Sequence, residues 1–301
     1  MSAPTPFSRG DALRALAVVV IWGLNFVVMK LGLQSLSPWL LGALRFAAAA
    51  LPFVWFVRPP PLPWGFVAGY GLAQGLGQFG FLFLGLQLGM TAGMASVVMQ
   101  TQAFFTLMLA LPILGERART RQWLGVGVAL AGLVLIAAAH GEGPGQMTLA
   151  GFVLTLSAAF MWAVSNLVAR RASQLARYEP FPFVVWSSVF PIVPFALIAL
   201  ALDGPMQVAN QLAGMDSRAW FAVLYLALGA TLLAYSLWTR LLQRHAAARV
   251  TPFSLLVPVV GLWAAWAAFG ELPVPLQWLG VAGVIGGLVI NQGGVPLRWR
   301  R

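Results

Sequence analysis

Polar side chains that can bind a small zwitterion occur inside long apolar runs of this sequence. Gln78, Gln100 and Asn25 supply amide groups, and Trp162 and Tyr235 supply aromatic rings. A side-chain amide can donate a hydrogen bond to a carboxylate and accept one from an ammonium group. An aromatic face attracts a cation. We therefore predict that these five residues contact a substrate that carries both charges.

The same side chains also have a structural explanation. Inside a membrane, amides hold helices together through hydrogen bonds that contribute about 1–2 kcal/mol each or less. The distribution of the set favours binding. Amides and indoles concentrate in the first, third, fourth, sixth and eighth apolar runs, whereas the fifth and tenth runs are apolar and rich in glycine. We therefore predict a central polar cavity flanked by two packing helices.

Ionisable side chains are distributed differently. The seven acidic residues and both histidines fall at the ends of apolar runs or in loops: Asp11, Glu116, Glu142, Glu179, Asp203, Asp216, Glu271, His140 and His245. Proton-coupled antiporters usually hold a carboxylate or a histidine inside the membrane, so this pattern predicts transport without such a group. Enzymes need an acid, a base or a metal site, and the chain has no cysteine. The sequence thus predicts neither an enzyme nor a cofactor or metal ion.

The composition places these residues in a membrane protein. Of 301 residues, 60% are hydrophobic and 8% are charged, whereas soluble domains carry about 25% charged residues. Lipid offers no hydrogen-bond partner to the backbone, so we predict an all-α integral membrane fold. Ten runs approach the roughly 20 residues that a helix needs to cross the hydrocarbon core: 12–33, 38–57, 64–86, 91–113, 122–140, 149–170, 181–202, 218–241, 247–269 and 275–295.

Basic residues fix the predicted orientation. If the N-terminus is cytoplasmic, Lys30 and Arg218 face the opposite side, and Arg45 lies within a run. The other fifteen fall on the cytoplasmic side: Arg9, Arg14, Arg58, Arg117, Arg119, Arg121, Arg170, Arg171, Arg177, Arg240, Arg244, Arg249, Arg298, Arg300 and Arg301. By the positive-inside rule, both termini are predicted to be cytoplasmic. The net charge of +11 is thereby explained without a nucleic-acid partner.

A duplicated stretch indicates two halves. Residues 115–134 and 270–289 are identical at 10 of 20 positions without a gap, and the match retains a Glu, a Gln and a Trp. We predict a five-helix repeat in residues 1–140, a linker at 141–148 and a second five-helix repeat in 149–301. Five spans per half is an odd number, so the second repeat is inverted in the membrane relative to the first, as in many secondary transporters.

The ten-span pattern and several motifs resemble the drug/metabolite transporter superfamily, EamA type. The motifs are VVVIWGLNFVVMK at 18–30, LRF at 44–46, QFGFLF at 78–83, QAFF at 102–105, SLLVPVVG at 254–261 and LRWR at 297–300. Within that superfamily the chain is similar to bacterial exporters of O-acetylserine and cysteine, and of aromatic amino acids. The resemblance implies a multi-pass protein of the bacterial inner membrane that exports amino acids and related metabolites by alternating access. We expect broad specificity, partners limited to a small amino-acid substrate and the lipid bilayer, and a functional monomer.

Two roles are open for Arg45, which lies about 10 Å into its run from Pro38 at 1.5 Å per residue. It can hold a carboxylate, or it can be structural, bonded to backbone carbonyls or extended toward the membrane surface. The Leu44-Arg45-Phe46 motif looks like a feature that relatives with different substrates share. We therefore expect the structural role.

Two other transport functions stay open. A proton-coupled efflux carrier for drugs or other metabolites would need the intramembrane carboxylate that the apolar runs lack. A carrier of nucleotide sugars or lipid-linked sugars, as found elsewhere in the superfamily, would need several basic residues in the cavity. In the sequence, Arg45 stands alone inside a run.

Overall fold

The computed structural model of the protein describes residues 8–114, 118–141, 146–245 and 250–292. Every regular element in these ranges is helical, which confirms the predicted all-α class. Each of the ten predicted runs contains helix, although run 38–57 is helical only through Ala50. Seven helices of the described ranges are long and apolar enough to cross a membrane: Arg9–Gly32, Ala92–Ile113, Thr120–Ala138, Leu149–Leu175, Pro180–Leu202, Ser217–Leu242 and Pro252–Phe269.

We number the helices in chain order and treat adjoining segments as one helix. Before the linker lie α1 (Arg9–Gly32), α2 (Pro38–Ala50), α3 (64–87), α4 (92–114) and α5 (Thr120–Ala138). After it lie α6 (Leu149–Leu175), α7 (180–202), α8 (Pro205–Ala213), α9 (217–244), α10 (251–269) and α11 (Pro275–Gln292). Helix α8 has no buried residue and was not predicted from the sequence.

Short polar side chains set where several helices begin. Ser8, Ser37, Thr91, Thr148 and Asp216 each precede a helix, and each side chain accepts a hydrogen bond from a backbone N–H of the first turn. Such residues are favoured at N-caps because the first N–H groups of a helix have no partner within it. The caps thereby set the residue at which α1, α2, α4, α6 and α9 begin. The start of each helix in turn sets how deep in the bundle the polar side chains of that helix lie.

The helices that surround the centre of the bundle depart from regular α geometry at matching positions. A π-helical turn occupies Gly71–Phe79 in α3, and another occupies Tyr225–Leu233 in α9. These turns start 154 residues apart (225 minus 71), close to the 155-residue offset of the duplicated stretch. A 3₁₀ turn at Met99–Thr101 in α4 likewise matches one at Thr251–Leu256 in α10. Such irregular turns are frequent where helices serve a function.

Helix α1 runs through the centre of the bundle and packs against α4, α9 and α10. Helix α7 is interrupted by the turn 188–191, which ends at Pro191. Proline removes a backbone N–H and disfavours continuation of the preceding helix. Helix α3 packs closely on this interruption, since a Cβ atom added to Gly75 would lie 2.5 Å from the Pro191 ring.

Helices α5 and α11 form a close pair in which glycines allow the backbones to touch. A Cβ on Gly132 would lie 2.6 Å from the carbonyl oxygen of Gly280, and a Cβ on Gly125 would lie 2.6 Å from that of Gly287. Gly125 and Gly280 are equivalent in the duplicated stretch, and so are Gly132 and Gly287. Replacing each glycine by its equivalent in the other repeat therefore turns the Gly132–Gly280 contact into the Gly287–Gly125 contact. This is the symmetry of a two-fold interface. The pair leaves most of the cavity wall to the other helices.

Candidate functional site

A cavity of about 1080 Å³ lies among the central helices. One end is deep in the bundle, where Arg45 and Gln78 form part of its wall. The other end lies at the C-terminal ends of α6 and α9, where Arg170, Ser173 and Arg177 are exposed. The cavity thus reaches from one surface of the helical bundle to about its middle.

All five residues that the sequence analysis selected border this cavity. Asn25, Gln78, Gln100 and Tyr235 are buried, and Trp162 is half-buried. They come from α1, α3, α4, α6 and α9, so the tertiary fold brings together residues that are far apart in the chain. Their contact with a substrate stays a prediction.

The three amides differ in how far their hydrogen-bonding groups are used. The Gln100 amide nitrogen donates to the Ser254 carbonyl oxygen at 3.0 Å and so joins α4 to the first turn of α10. The side-chain oxygens of Asn25 and Gln78 have no hydrogen-bond partner within the described ranges. A buried acceptor without a partner is costly, so each of these two oxygens would be stabilised by a hydrogen bond from a bound ammonium group.

An aromatic cluster around Trp22 forms another part of the wall. The Trp22 ring centroid lies 5.0 Å from that of Tyr235, 5.5 Å from that of Trp238 and 6.3 Å from that of Trp162. The indole nitrogen of Trp22 donates to the Ala230 carbonyl oxygen at 3.3 Å, which fixes the ring against α9. Such a cluster can attract a cationic group to its ring faces.

The sequence analysis did not select Trp22 or Trp238 as contacts, although both border the cavity. A signal for each was present. Trp22 lies three residues before Asn25, and Trp238 lies three residues after Tyr235. Residues three apart on a helix share a face, so each indole could have been inferred from the selected residue beside it.

Arg45 is fully buried at the deep end of the cavity. Its Nε and Nη2 atoms donate to the Thr231 hydroxyl at 3.0 Å and 2.9 Å, and its guanidinium carbon lies 3.7 Å from the centroid of the Phe79 ring. Within the described residues no backbone carbonyl accepts a hydrogen bond from Arg45, and the side chain does not extend to the surface. The reason is tertiary: α9 brings a hydroxyl, and α3 an aromatic face, to the guanidinium group.

Polar residues continue from the centre toward the open end. The Asn166 amide nitrogen donates to the Gln102 side-chain oxygen at 2.7 Å, which links α6 to α4 along the cavity wall. Tyr178 lies near the mouth, where burial raises the pKa of its phenol above the ordinary value. The phenol therefore stays neutral near pH 7, and the charge at the mouth comes from Arg170 and Arg177.

The opposite end of the bundle is held shut by polar contacts between helices. Lys30, at the end of α1, forms an ion pair with Glu271 in the α10–α11 loop. The same carboxylate accepts from the Gly93 backbone N–H at 3.3 Å, at the start of α4. The Lys30 ammonium also lies 5.1 Å from the centroid of the Phe269 ring. These contacts connect α1, α4 and α10 beyond the deep end of the cavity.

The acidic residues of the described ranges lie at helix ends or in loops, as the sequence predicted. Asp11, in the first turn of α1, pairs with Arg14 at 2.9 Å and lies 3.1 Å from the His245 ring. Glu116 and Glu142 lie outside the described residues. Within the residues that the structure describes, no group of three or more His, Cys, Asp or Glu side chains could hold a metal ion.

Comparisons with known proteins relate the whole chain to transporters. The sequence profile of the EamA-like transporter family matches residues 11–138 and 149–292. The chain is 42% identical over 295 residues to proteins named "Probable amino-acid metabolite efflux pump" from Salmonella typhimurium and Escherichia coli K12, with 97% and 98% of both chains covered, respectively. It is 24% identical over 281 residues to an uncharacterised inner membrane transporter, YedA, of Escherichia coli K12, covering 91% of this chain and 88% of YedA.

A solved crystal structure has a similar fold, with a TM-score of 0.58 at 20% sequence identity. The alignment covers 94% of this chain and 96% of the other. At this identity the likeness concerns the fold alone.

Proposed function

Since the chain belongs to the EamA-like transporter family, we propose that it exports amino acids and related metabolites across the bacterial inner membrane by alternating access. The observation that carries the proposal is the cavity itself. Amides, indoles and one buried arginine line it. One end reaches the surface of the bundle, and the Lys30–Glu271 ion pair connects the helices beyond the other end. The two relatives named as efflux pumps for amino-acid metabolites support the choice of substrate class.

The proposed topology has ten membrane spans in two inverted repeats, residues 1–140 and 149–301, joined by the linker 141–148. The exchange of glycine contacts between α5 and α11 supports it, and so do the matching π turns of α3 and α9. Both termini are cytoplasmic in this scheme, and the arginine-rich mouth of the cavity faces the cytoplasm by the positive-inside rule. The structure then corresponds to an inward-open state.

In the proposed cycle a substrate enters from the cytoplasm and binds at the deep end of the cavity. Release to the other side requires α1, α4 and α10 to separate where Lys30 and Glu271 now hold them together. The irregular turns in α3, α4, α9 and α10 provide places where the helices can bend. Asp11 and Glu271 lie at helix ends, so we propose transport without an intramembrane proton-coupling carboxylate.

We propose broad specificity because of the size of the cavity. Pockets for drug-sized ligands span about 300–1,000 Å³, and this cavity of about 1080 Å³ is slightly larger than that range. Its volume alone therefore excludes no amino acid. Selection would then depend on the ammonium and carboxylate groups that all amino acids share.

A carrier of anionic substrates is the second candidate, and the arginines of the cavity favour it. Arg170 and Arg177 border the mouth in addition to Arg45 at the deep end, whereas the sequence had suggested that Arg45 stands alone. The two mouth arginines are exposed, so water and salt screen their charges. We therefore retain amino acids as the leading substrate class, and the flux measurement below includes an anionic probe.

The decisive experiment is counterflow in proteoliposomes with a panel of labelled amino acids and a nucleotide sugar, with and without a pH gradient. We expect uptake of several amino acids that does not require the gradient. Absence of uptake for every amino acid, from protein shown to be folded, would contradict the proposal. Uptake of the nucleotide sugar alone would establish the second candidate, and a strict requirement for the gradient would refute the mechanism without proton coupling.

The five predicted contacts are tested in the same assay. Gln78→Ala, Trp162→Ala, Asn25→Ala and Tyr235→Phe should each lower counterflow while the amount of protein in the membrane stays unchanged. Gln100→Ala should also lower counterflow, but with an additional loss of stability because of its bond to Ser254. Normal flux in all five variants would show that the substrate binds elsewhere.

A further inference from the structure

Arg45 is a buried positive charge without a partner of opposite charge in the part of the chain that the structure describes. None of its surface is exposed, and its guanidinium group contacts the Thr231 hydroxyl and the rings of Phe46 and Phe79. A buried charge is costly unless an opposite charge and hydrogen bonds compensate it. A hydroxyl and two ring faces are weak compensation for a guanidinium group.

Thr231 orients the guanidinium group, and the hydrogen-bonding capacity of its own hydroxyl is fully used. Its hydroxyl donates to the Leu226 carbonyl oxygen at 2.8 Å, so its oxygen is left to accept, and it accepts from Nε and Nη2 of Arg45. Nη1 has no hydrogen-bond partner within the described ranges. The side of the guanidinium formed by Nε and Nη2 therefore makes the hydrogen bonds to Thr231, while the end formed by Nη1 and the second hydrogen of Nη2 is left to bind another group once a side-chain movement exposes it.

That available end has the geometry of a carboxylate receptor. Two parallel N–H groups of arginine match the two oxygens of a carboxylate, and such paired, charge-assisted bonds are among the strongest that proteins make. We propose that Nη1 and Nη2 of Arg45 bind the carboxylate of a zwitterionic substrate at the deep end of the cavity. The inference rests on the proposed function and names the group of the substrate that the site recognises.

The rest of the cavity suits the other end of such a substrate. The side-chain oxygens of Asn25 and Gln78 are buried acceptors without partners in the described ranges, and the cluster around Trp22 offers aromatic faces. An ammonium group can use both kinds of contact. Tyr235 lies beside Arg45 and close to the Gln78 amide, so a small movement of these side chains is needed before a carboxylate touches the arginine.

The test measures binding of three probes that share one side chain and differ in which charged groups they carry. L-methionine carries both groups, L-methioninamide lacks the carboxylate, and N-acetyl-L-methionine lacks the ammonium. The same triplets built on L-serine and L-phenylalanine are measured alongside. Dissociation constants for the purified full-length protein come from the rise of its melting temperature with probe concentration.

For the unmodified protein we expect the amide to bind about 10-fold to 100-fold more weakly than the amino acid, the range for losing hydrogen bonds to a charged group. Arg45→Gln should weaken the amino acid by a similar factor and leave the amide unchanged. Arg45→Lys should restore part of the difference. Thr231→Val, which removes the orienting hydroxyl, should reduce the difference while Arg45 remains. Arg218→Gln, which alters an exposed arginine of α9 away from the cavity, should change nothing.

The comparison of probes on the unmodified protein decides the question even if the Arg45 variants do not fold. Equal binding of amino acid and amide would overturn the inference, and so would an Arg45→Gln variant that weakens both equally. If no amino acid binds but N-acetyl-L-methionine binds in an Arg45-dependent way, the carboxylate site stands and the amino-acid function fails. If no probe binds at all, both are refuted.

Discussion

The ion pair between Lys30 and Glu271 should control the balance between inward-open and outward-open states. The lysine side chain is 30% exposed and that of Glu271 is 6% exposed, so the pair is partly shielded from water. Removing one partner of an exposed pair costs about 0–1 kcal/mol, and removing one partner of a buried pair costs about 3–5 kcal/mol. For this intermediate case we expect Lys30→Met to destabilise the closed end by about 2 kcal/mol, or about 30-fold in the ratio of the two states.

Site-directed labelling can measure that shift cleanly because the chain contains no cysteine. Ala92→Cys places a thiol at a buried position beside Gly93, at the closed end. In intact cells, a membrane-impermeant maleimide should label this thiol faster when Lys30→Met is also present. A thiol introduced by Ser173→Cys, at the open mouth, should become less accessible from the cytoplasm in the same background.

Two controls make the result specific to the ion pair. The double exchange Lys30→Glu with Glu271→Lys should restore slow labelling of Ala92→Cys, because the charges again attract. Arg218→Met, which removes an exposed basic residue of α9 that forms no ion pair within the described residues, should leave labelling unchanged. Slow labelling that persists in Lys30→Met would show that the pair does not hold this end closed.

Two further predictions concern packing rather than substrate. Gln100→Ala should lower the free energy of unfolding by about 1 kcal/mol, because the Ser254 carbonyl oxygen loses one donor and keeps the backbone N–H of Val257. An unchanged chemical denaturation midpoint would contradict a contribution of this bond to stability. Gly132→Ala should lower the free energy of unfolding by about 1–3 kcal/mol, since the added Cβ would lie 2.6 Å from the Gly280 carbonyl oxygen. The loss is measured as a fall in melting temperature. The matched control is Gly127→Ala, whose added Cβ would meet nothing within 4 Å. This variant should be neutral or stabilising, because alanine is favoured over glycine inside a helix. Equal losses of stability in both variants would argue against the close α5–α11 contact.

The five predicted contact residues show which features of the candidate site could be predicted from the sequence. Each of the five was selected as a polar or aromatic side chain inside an apolar run, and all five border one cavity. The selection works because a polar group in lipid is costly unless it faces a partner or a cavity. It cannot distinguish those two cases. Gln100 is bonded to Ser254, whereas the oxygen of Gln78 has no partner in the described ranges.

The sequence did not identify the hydrogen-bond partner of Arg45. Its motif suggested a structural residue bonded to carbonyls. Its contacts are instead with Thr231, which is 186 residues away in the chain, and with the face of Phe79. No local pattern predicts which hydroxyl will meet a guanidinium group, because the answer depends on how α2, α3 and α9 pack.

The sequence by itself determined the membrane class, the helical fold, the family resemblance and the duplicated stretch. Composition and the length of apolar runs decide the membrane class and the helical fold, since the lipid acts on every segment in the same way. The family resemblance and the duplicated stretch follow from the order of particular residues. Tertiary structure alone decided that the cavity is open at one end, that Lys30 meets Glu271 across 241 positions of the chain, and that Arg45 meets Thr231 while its Nη1 atom has no partner within the described ranges. Those features depend on contacts between distant helices, and hydropathy carries no information about which helices will touch.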